Sequence, residues 1–152
     1  MLFRSTAYAF ANLLPVAADP TLHSPVFCYQ WATAAAAVAA APPGADGARR
    51  IRYVNPATGS APMPTIGAFA QLLPGGFETR PYRCTDGTVY VCLEGRGEVQ
   101  AGEQTWHFEE SDVFVIPSWH SLQIRAAQAA LLFSFSDRPI QQSLGLWREQ
   151  RL

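Results

Sequence analysis

The stretch "YRCTDGTVYVCLEGRG" (residues 82–97) indicates the fold more clearly than any other part of the chain. It contains a run of strand-forming residues, "TVYVCLEG", and the "GRG" that ends it is typical of a hairpin turn. Side chains at positions i and i+2 of a strand face the same side, so Tyr82 and Cys84 are predicted to point in one direction. This spacing is that of a metal-binding strand pair, yet the stretch contains no histidine.

Further short runs with strand composition lie on both sides of this stretch. They are "IRYV", "IGAFAQLL", "QTWHFE", "DVFVIP", "HSLQIRA" and "ALLFSFSD". Turn signals separate the runs at intervals of about 8–12 residues, which is typical of antiparallel sandwiches and barrels. We therefore predict an all-β fold with a single antiparallel barrel.

The first third of the chain has a different composition and is predicted to form an N-terminal arm or linker, residues 1–50. Its alanine-rich segment favours a short helix at about residues 30–40, because alanine has the highest helix propensity. The "PPG" that follows ends this helix. Residues 51–152 then hold the barrel and a short C-terminal helix.

The C-terminal helix is predicted in "PIQQSLGLWREQ", where Pro139 stands at a favourable first position. Ile140, Leu144 and Trp147 follow one another at helical spacing. We therefore expect these three side chains to share one apolar face.

Length, composition and charge exclude several classes of protein. The chain has 152 residues, 49% of them hydrophobic, and a net charge of -1, which suits one globular domain. The basic residues are scattered, so we expect no nucleic-acid partner. All of them are arginines, and the absence of lysine excludes Schiff-base chemistry and a P-loop.

The cysteines and the apolar segments indicate the compartment. Three dispersed cysteines cannot form a disulfide framework and suggest reduced thiols. No apolar run reaches the roughly 20 residues of a membrane helix, so we expect no membrane partner. The first 20 residues resemble a weak signal peptide, but Asn12 and Pro15 interrupt them, and we expect a cytoplasmic protein.

Two sets of spacings match the cupin motifs. The first motif, G-x5-H-x-H-x3-E-x6-G, fits with both histidines and the glutamate replaced. Its five positions hold Gly76, Tyr82, Cys84, Thr88 and Gly95. The second motif, G-x5-P-x-G-x2-H-x3-N, fits "SDVFVIPSWHSLQIRA". Its five positions hold Ser111, Pro117, Trp119, Leu122 and Ala126.

The residues at the ligand positions argue against a metal site. Leucine at position 122 has no donor atom, and Tyr82 and Cys84 could ligate only after losing a proton. Three imidazoles, which suit a divalent iron, are therefore not encoded. We expect no metal and no cofactor in this chain.

The chain resembles the gentisate 1,2-dioxygenase family of bicupin ring-cleaving enzymes, specifically their C-terminal barrel. The resemblance extends over about residues 24–150. It rests on "SPVFCYQW", "RYVNPATGSAPMPTIGAFAQLLPGGF", "YRCTDGTVYVCLEGRG", "DVFVIPSWH" and "LLFSFSDRPIQQSLGLWREQ". The family implies Fe(II) held by three histidines, which binds gentisate and dioxygen and opens the ring. That iron typically sits in the N-terminal barrel, so the resemblance implies a cupin barrel whose metal site was vacated.

Three functions stay open for such a barrel. The first is a structural or oligomerisation barrel with a degenerate metal site, non-catalytic on its own, that works as a homo-oligomer or with a catalytic cupin partner. A dimer is favoured because the chain is apolar and has few charges. The second is an Fe(II)-dependent dioxygenase for gentisate or a related aromatic hydroxy acid. The third is a module that binds a small aromatic ligand.

The candidate pocket lining follows from the motif positions and their neighbours on the strands. It consists of Tyr82, Cys84, Thr88, Tyr90, Trp119, His120 and Leu122. His120 is the histidine nearest to these positions, and it is either a displaced ligand or a hydrogen-bonded loop residue. Arg83 or Arg125 is a candidate partner for a ligand carboxylate.

Overall fold

Two five-stranded antiparallel sheets face each other in the computed structural model, which describes residues 24–26, 28–44 and 47–152. Residues 1–23 of the predicted arm, which include the stretch that resembles a weak signal peptide, lie outside the described residues. In the first sheet the strands follow the order β1-β2-β9-β4-β7, and in the second the order β10-β3-β8-β5-β6. The strands are β1 (Arg49–Arg52), β2 (Gly67–Leu73), β3 (Tyr82–Cys84), β4 (Thr88–Glu94), β5 (Gly97–Ala101), β6 (Gln104–Phe108), β7 (Val113–Ile116), β8 (Leu122–Ala126), β9 (Ala130–Ser136) and β10 (Glu149–Arg151). This is the predicted antiparallel barrel.

The space between the sheets has an apolar end and a polar end. Alternate residues of β4 and β5 point inward and are buried, as expected for strands with one face on a core. The apolar end is packed by Leu73, Cys92, Val99, Ile124 and Leu132, none of which is more than 1% exposed. The other end contains the buried polar side chains Gln71, Thr88, Ser134 and Ser136. Between the two sheets, the buried polar side chains therefore make this second end the place for a polar site.

The four glycine positions of the two motifs share a backbone conformation. Gly76 has φ 73° and Gly95 has φ 89°. Ser111 has φ 75° and Trp119 has φ 64°, and no other non-glycine residue in the described part of the chain has a positive φ. A left-handed backbone is strained for residues with a Cβ. The second motif therefore has, at Ser111 and Trp119, the backbone that its glycine positions require, which supports the registration of both motifs.

The N-terminal helix forms where it was predicted, as α1 (Trp31–Ala40). Its Ala34 and Val38 are buried, and the helix packs against β1 and β2 of its own barrel. Helix α1 therefore contacts the outer side of the first sheet. The boundary at residue 50 between arm and barrel remains a prediction.

The C-terminal helix is shorter than predicted. It is α2 (Arg138–Ser143), and Gly145 with φ 69° ends it in a Schellman motif, in which Leu146 N donates to Gln141 O at 2.8 Å. Leu144 is 64% exposed, so the predicted shared apolar face was wrong. Gly145 ends the helix although the apolar spacing continues beyond it. The chain then runs into β10, which pairs with β3.

Candidate functional site

The motif positions come together at the polar end of the barrel. Tyr82 and Leu122 are direct partners on β3 and β8, and Cys84 lies two residues further on the inner side of β3. Arg83, between them, points outward, where its guanidinium lies 4.7 Å from the centre of the Trp119 ring. Thr88 faces them from β4 of the opposite sheet. The strands thus bring together the positions that hold ligands in a metal-bound cupin.

A cavity of about 200 Å³ opens beside these positions. Three of the seven predicted pocket residues line it, namely Tyr82, Thr88 and Tyr90. The two tyrosine hydroxyl oxygens are 3.4 Å apart, and the Tyr90 ring stacks on Phe114 at a centroid distance of 5.1 Å. The cavity therefore has an aromatic wall that carries two hydroxyl groups.

The other four predicted pocket residues are not on the cavity wall. Trp119 is 41% exposed on the outer surface, and His120 is an exposed loop residue whose Nδ1 lies 3.2 Å from Ser118 O. Leu122 is buried in the apolar core, and Cys84 lies beside the cavity with its thiol 3.8 Å from Asp86 O. The positive φ at Trp119 turns its side chain away from the barrel interior.

A buried ion pair that the sequence analysis did not identify closes the polar end. Asp86 is 1% exposed, and its Oδ2 accepts a hydrogen bond from Arg138 Nε at 3.2 Å. Its Oδ1 accepts from Trp147 Nε1 at 2.7 Å, and the Arg138 guanidinium lies 4.8 Å from the centre of the Trp147 ring. The sequence analysis placed the start of the C-terminal helix at Pro139 and assigned no role to Asp86 or Arg138. The one indication of this ion pair in the sequence was an arginine directly before Pro139, the predicted first residue of the helix.

The ion pair determines the charge state of Asp86. Burial raises the pKa of this carboxyl, but Arg138 and the hydrogen bonds from Cys84, Trp147 and Ser136 together hold it below its ordinary value. A group with a lowered folded-state pKa stabilises the fold at a pH above its unfolded value. This contribution is lost as the pH falls through the lowered pKa.

The side chains at the ligand positions do not fit a divalent iron. Burial and the neighbouring Asp86 raise the pKa of the Cys84 thiol to about 12, and burial raises the pKa of Tyr82. Both therefore stay protonated at neutral pH, and Leu122 has no donor atom. No group of three or more His, Cys, Asp or Glu side chains able to hold a metal comes together within the described residues.

The arginines nearest the cavity are not those that were predicted. Arg83 donates to Gln150 Oε1 at 2.7 Å, and Arg125 pairs with Glu78 at 3.0 Å, both on the outer surface. The arginines that border the cavity are Arg50 on β1, Arg138 and Arg151 on β10. Strands β1 and β10 are far apart in sequence, so sequence spacing could not identify this group.

Facing antiparallel sheets, with the positive-φ turns of both motifs, define a single cupin barrel. No protein-family model matches the chain. Gentisate 1,2 dioxygenase 1 of Aquipseudomonas alcaligenes is 41% identical over 146 residues, which cover 93% of this chain and 42% of that protein. The 5-aminosalicylate 1,2-dioxygenase of a Comamonas species is 35% identical over 133 residues, which cover 83% of this chain and 35% of that protein.

Solved structures agree with these relatives. The salicylate 1,2-dioxygenase of Pseudaminobacter salicylatoxidans superposes with a TM-score of 0.82 at 32% identity, covering 88% of this chain and 41% of that one. A cupin-2 domain of Rhodospirillum rubrum, at 21% identity and a TM-score of 0.52, supports the fold alone. The chain belongs to the gentisate 1,2-dioxygenase family and matches the C-terminal cupin half of its two-cupin members.

The match leaves more than half of each relative without a counterpart here. The chain spans about two-fifths of the length of gentisate 1,2 dioxygenase 1, which it covers to 42%. In the part of the chain that the structure describes, no helix is long and apolar enough to cross a membrane.

Proposed function

We propose that this chain is a gentisate dioxygenase-like cupin barrel with a degenerate metal site that does not catalyse ring cleavage on its own. The observation that carries the proposal is the set of side chains at the ligand positions. Tyr82 and Cys84 are held in their protonated forms and Leu122 is apolar, so they offer no ligand set for iron. Its role is then structural, as one barrel of an assembly of cupin barrels.

The alternative is an Fe(II)-dependent dioxygenase that acts on gentisate or a related aromatic hydroxy acid. The names of the relatives favour it, since they are gentisate and 5-aminosalicylate dioxygenases. It would need a metal held by other residues than those at the motif positions. His120, the nearest histidine in sequence to those positions, is exposed and lies outside the cavity wall.

An assay of gentisate turnover separates the two functions. We expect the purified chain, supplied with Fe(II), oxygen and gentisate, to form no ring-opened product above a control with buffer and iron alone. The reason is that substrate and dioxygen must meet on one metal, and the barrel lacks the ligands to hold it. Iron-dependent product formation, followed by its absorbance and lost on replacing His120 by alanine, would establish the alternative.

The outer face of the first sheet supports the proposed assembly. Antiparallel sheets with one solvated face normally carry polar residues there. Here two cross-strand rows, read across β2, β9, β4 and β7, are apolar throughout. They are Ala68, Phe135, Val89 and Val115 in one row and Ala70, Phe133, Val91 and Val113 in the other.

Helix α1 covers only part of this face. Ala70 on β2 is fully buried beneath the arm, and the Tyr53 ring contacts Phe133 at a centroid distance of 5.8 Å. Farther from the helix, Phe135 is 38% exposed, and Val113 and Val115 are 62% and 58% exposed. We infer that a second copy of this chain covers the remaining apolar face, because exposed apolar patches of this kind usually mark contacts between proteins.

A charge placed on this face tests the dimer. We expect the wild-type chain to be a dimer at micromolar concentration, and Val113→Lys to weaken the dimer by about 100-fold or more, because the lysine must lose its hydration in the interface. Thr105→Lys is the matched control on β6, an exposed edge-strand position of the opposite sheet, and should leave the dimer intact. Sedimentation velocity measures all three. A monomeric wild type at 100 times the assay concentration would contradict the inferred interface.

The thiols bear on the location of the protein. Cys28, Cys84 and Cys92 are all free, with no disulfide between them. Unpaired thiols are usual in reducing compartments. We propose a cytoplasmic location on this ground.

A further inference from the structure

Two buried side chains at the polar end of the barrel have unused hydrogen-bond donors. Ser134 on β9 is 6% exposed and Gln71 on β2 is 7% exposed, and the two are diagonal neighbours on paired strands. Within the described residues the Ser134 hydroxyl makes no hydrogen bond, and the Gln71 amide uses only its oxygen, which accepts from Arg50 Nε at 3.1 Å. The Gln71 amide nitrogen therefore has two protons without an acceptor.

These unused groups open into the polar cavity. In the part of the chain that the structure describes, every side-chain nitrogen or oxygen that is sealed from solvent has a partner. The Ser134 hydroxyl and the Gln71 amide nitrogen, which have none, must therefore reach open space. Both residues line the cavity of about 200 Å³, so this is the space that their donors face.

The two tyrosines add a further donor beside Ser134. Tyr90 is the direct partner of Ser134 on the neighbouring strand β4. The hydroxyl oxygens of Tyr82 and Tyr90 lie 3.4 Å apart, and this contact uses the proton of one hydroxyl only. Burial raises the pKa of both groups, so both protons are present at neutral pH. An oxygen atom that a ligand places in the cavity would meet donors from three adjacent strands.

The charged side chains on the cavity wall are already engaged. Asp86 accepts a hydrogen bond from Arg138 at 3.2 Å, and Glu149 pairs with Arg151 at 2.7 Å. Arg50 donates the hydrogen bond described above and takes part in a further interaction. None of these groups is counted as a source of affinity for a ligand. The groups that remain for it are uncharged hydroxyls and an amide, which favours an uncharged ligand, because a buried charge is costly without a partner.

The remaining walls limit the size and shape of the ligand. The Phe69 side chain and the rings of Tyr82 and Tyr90 form an aromatic part of the lining. The cavity volume of about 200 Å³ is below that of pockets for drug-sized ligands, about 300–1,000 Å³. The space therefore suits a compound with one small ring.

We propose that this cavity is a metal-independent binding site for a small neutral aromatic carbonyl compound, such as a monocyclic amide. The carbonyl oxygen has two lone pairs and accepts hydrogen bonds from Ser134 and Gln71, while the ring lies against Phe69. This inference goes beyond the proposed structural role, because a structural barrel does not need a ligand. It gives the polar end of the barrel a binding function of its own.

Calorimetry with benzamide tests the site on the whole chain after dialysis against a chelator. We expect a dissociation constant of about 1 mM or tighter. Thiobenzamide has the same shape but a sulfur in place of the oxygen, and it should bind at least about fivefold more weakly, because sulfur is a poor acceptor. Benzoate adds a charge and should bind at least about tenfold more weakly than benzamide.

Two variants remove the proposed donors one at a time. Ser134→Ala and Gln71→Met should each weaken benzamide binding by about fivefold or more, because each removes one hydrogen bond to the ligand with little change in volume. Ser118→Ala is the matched control at an exposed turn residue and should leave the affinity unchanged. Circular dichroism of each variant shows that any loss of binding is not a loss of fold.

Each outcome bears on a definite claim. No detectable binding of benzamide, equal affinity for benzamide and thiobenzamide, or binding unchanged in both Ser134→Ala and Gln71→Met would overturn the carbonyl site. Benzoate that binds as tightly as benzamide would overturn the neutral class of ligand. Binding that appears only after Fe(II) is added would overturn this site and the metal-free function together. Absence of binding with and without Fe(II) would overturn the site alone.

Discussion

Replacing Arg138 by methionine is expected to lower the free energy of unfolding by about 3 kcal/mol at pH 7. Methionine keeps most of the side-chain volume but removes the charge that faces Asp86. The Asp86 side chain has 0% exposure, so its carboxylate would be left buried beside Trp147 without a counter-charge. Urea unfolding followed by tryptophan fluorescence measures the change.

The pH dependence of this loss identifies its cause. In the wild type the pKa of Asp86 is below its ordinary value, so the ion pair stabilises the fold above about pH 4 and its contribution is lost below. In Arg138→Met, burial acts without the opposing charge and raises the pKa of Asp86. The difference between variant and wild type should therefore shrink as the pH falls from 7 towards 4, because the carboxyl becomes neutral.

A surface arginine provides the control for this experiment. Arg80 is exposed, and Arg80→Met should change the free energy of unfolding by no more than about 0.5 kcal/mol. If Arg138→Met changed the free energy of unfolding as little as this control, or if its effect did not depend on pH, the account of the ion pair would be contradicted. The Asp86–Arg138 pair would then not be what stabilises the polar end of the barrel.

Restoring three histidines should create a metal site with a large gain in affinity. In the triple variant Tyr82→His, Cys84→His, Leu122→His, two imidazoles stand on paired positions of β3 and β8, and the third lies two residues along the same face. We expect a dissociation constant for Fe(II) of about 1 μM or tighter, equivalent to about 8 kcal/mol, against no measurable binding by the wild type. Anaerobic calorimetry measures the affinity.

Whether the three imidazoles can bind one Fe(II) depends on the registration of β3. The control variant therefore moves one histidine by one residue, to the other face of that strand. The variant Tyr82→His, Arg83→His, Leu122→His has the same composition of imidazoles, but position 83 points outward beside Trp119. It should bind Fe(II) at least about tenfold more weakly, as expected when one of three ligands is missing. Equal affinity of the two triple variants, or no binding by either, would mean that the strand registration is wrong.

The sequence predicted the barrel well because its motif spacings are set by the strands and turns themselves. Ser111 and Trp119 occupy glycine positions of the motif and adopt φ 75° and 64°, so the turns have the left-handed geometry without glycine. Gly95 must remain, because a Cβ there would collide with the backbone of Ala129. A spacing that reflects backbone geometry can therefore be recognised after the ligands have gone.

The polar end was predicted poorly because its contacts join distant parts of the chain. Asp86 meets Arg138 and Trp147 across 52 and 61 positions, and no local pattern indicates such pairs. Trp147 itself was assigned to a helix face by its spacing from Ile140. Gly145, which ends the helix before it, was the local signal that should have weighed more.

The sequence also predicted the outer surface of the barrel incompletely. Trp119 was placed in the pocket because it occupies a motif position, and His120 because it follows Trp119 in sequence, but Trp119 has a left-handed backbone and its side chain is 41% exposed. In "VYV" (residues 89–91) and "FSF" (residues 133–135) the first and third residues are apolar and share one face of their strand. This pattern could have indicated an apolar outer face. Its extent became clear only from the cross-strand registration of Val89 with Val115 and Phe135.

The iron content of the purified wild-type chain tests the central claim most directly. The chain is loaded with Fe(II) under anaerobic conditions, desalted and analysed for metal per mole of protein. A barrel with a phenol, a thiol and an isobutyl group at its ligand positions should retain far less than one iron per chain. About one iron per chain, retained through desalting and lost on replacing His120 by alanine, would contradict the proposed degenerate site.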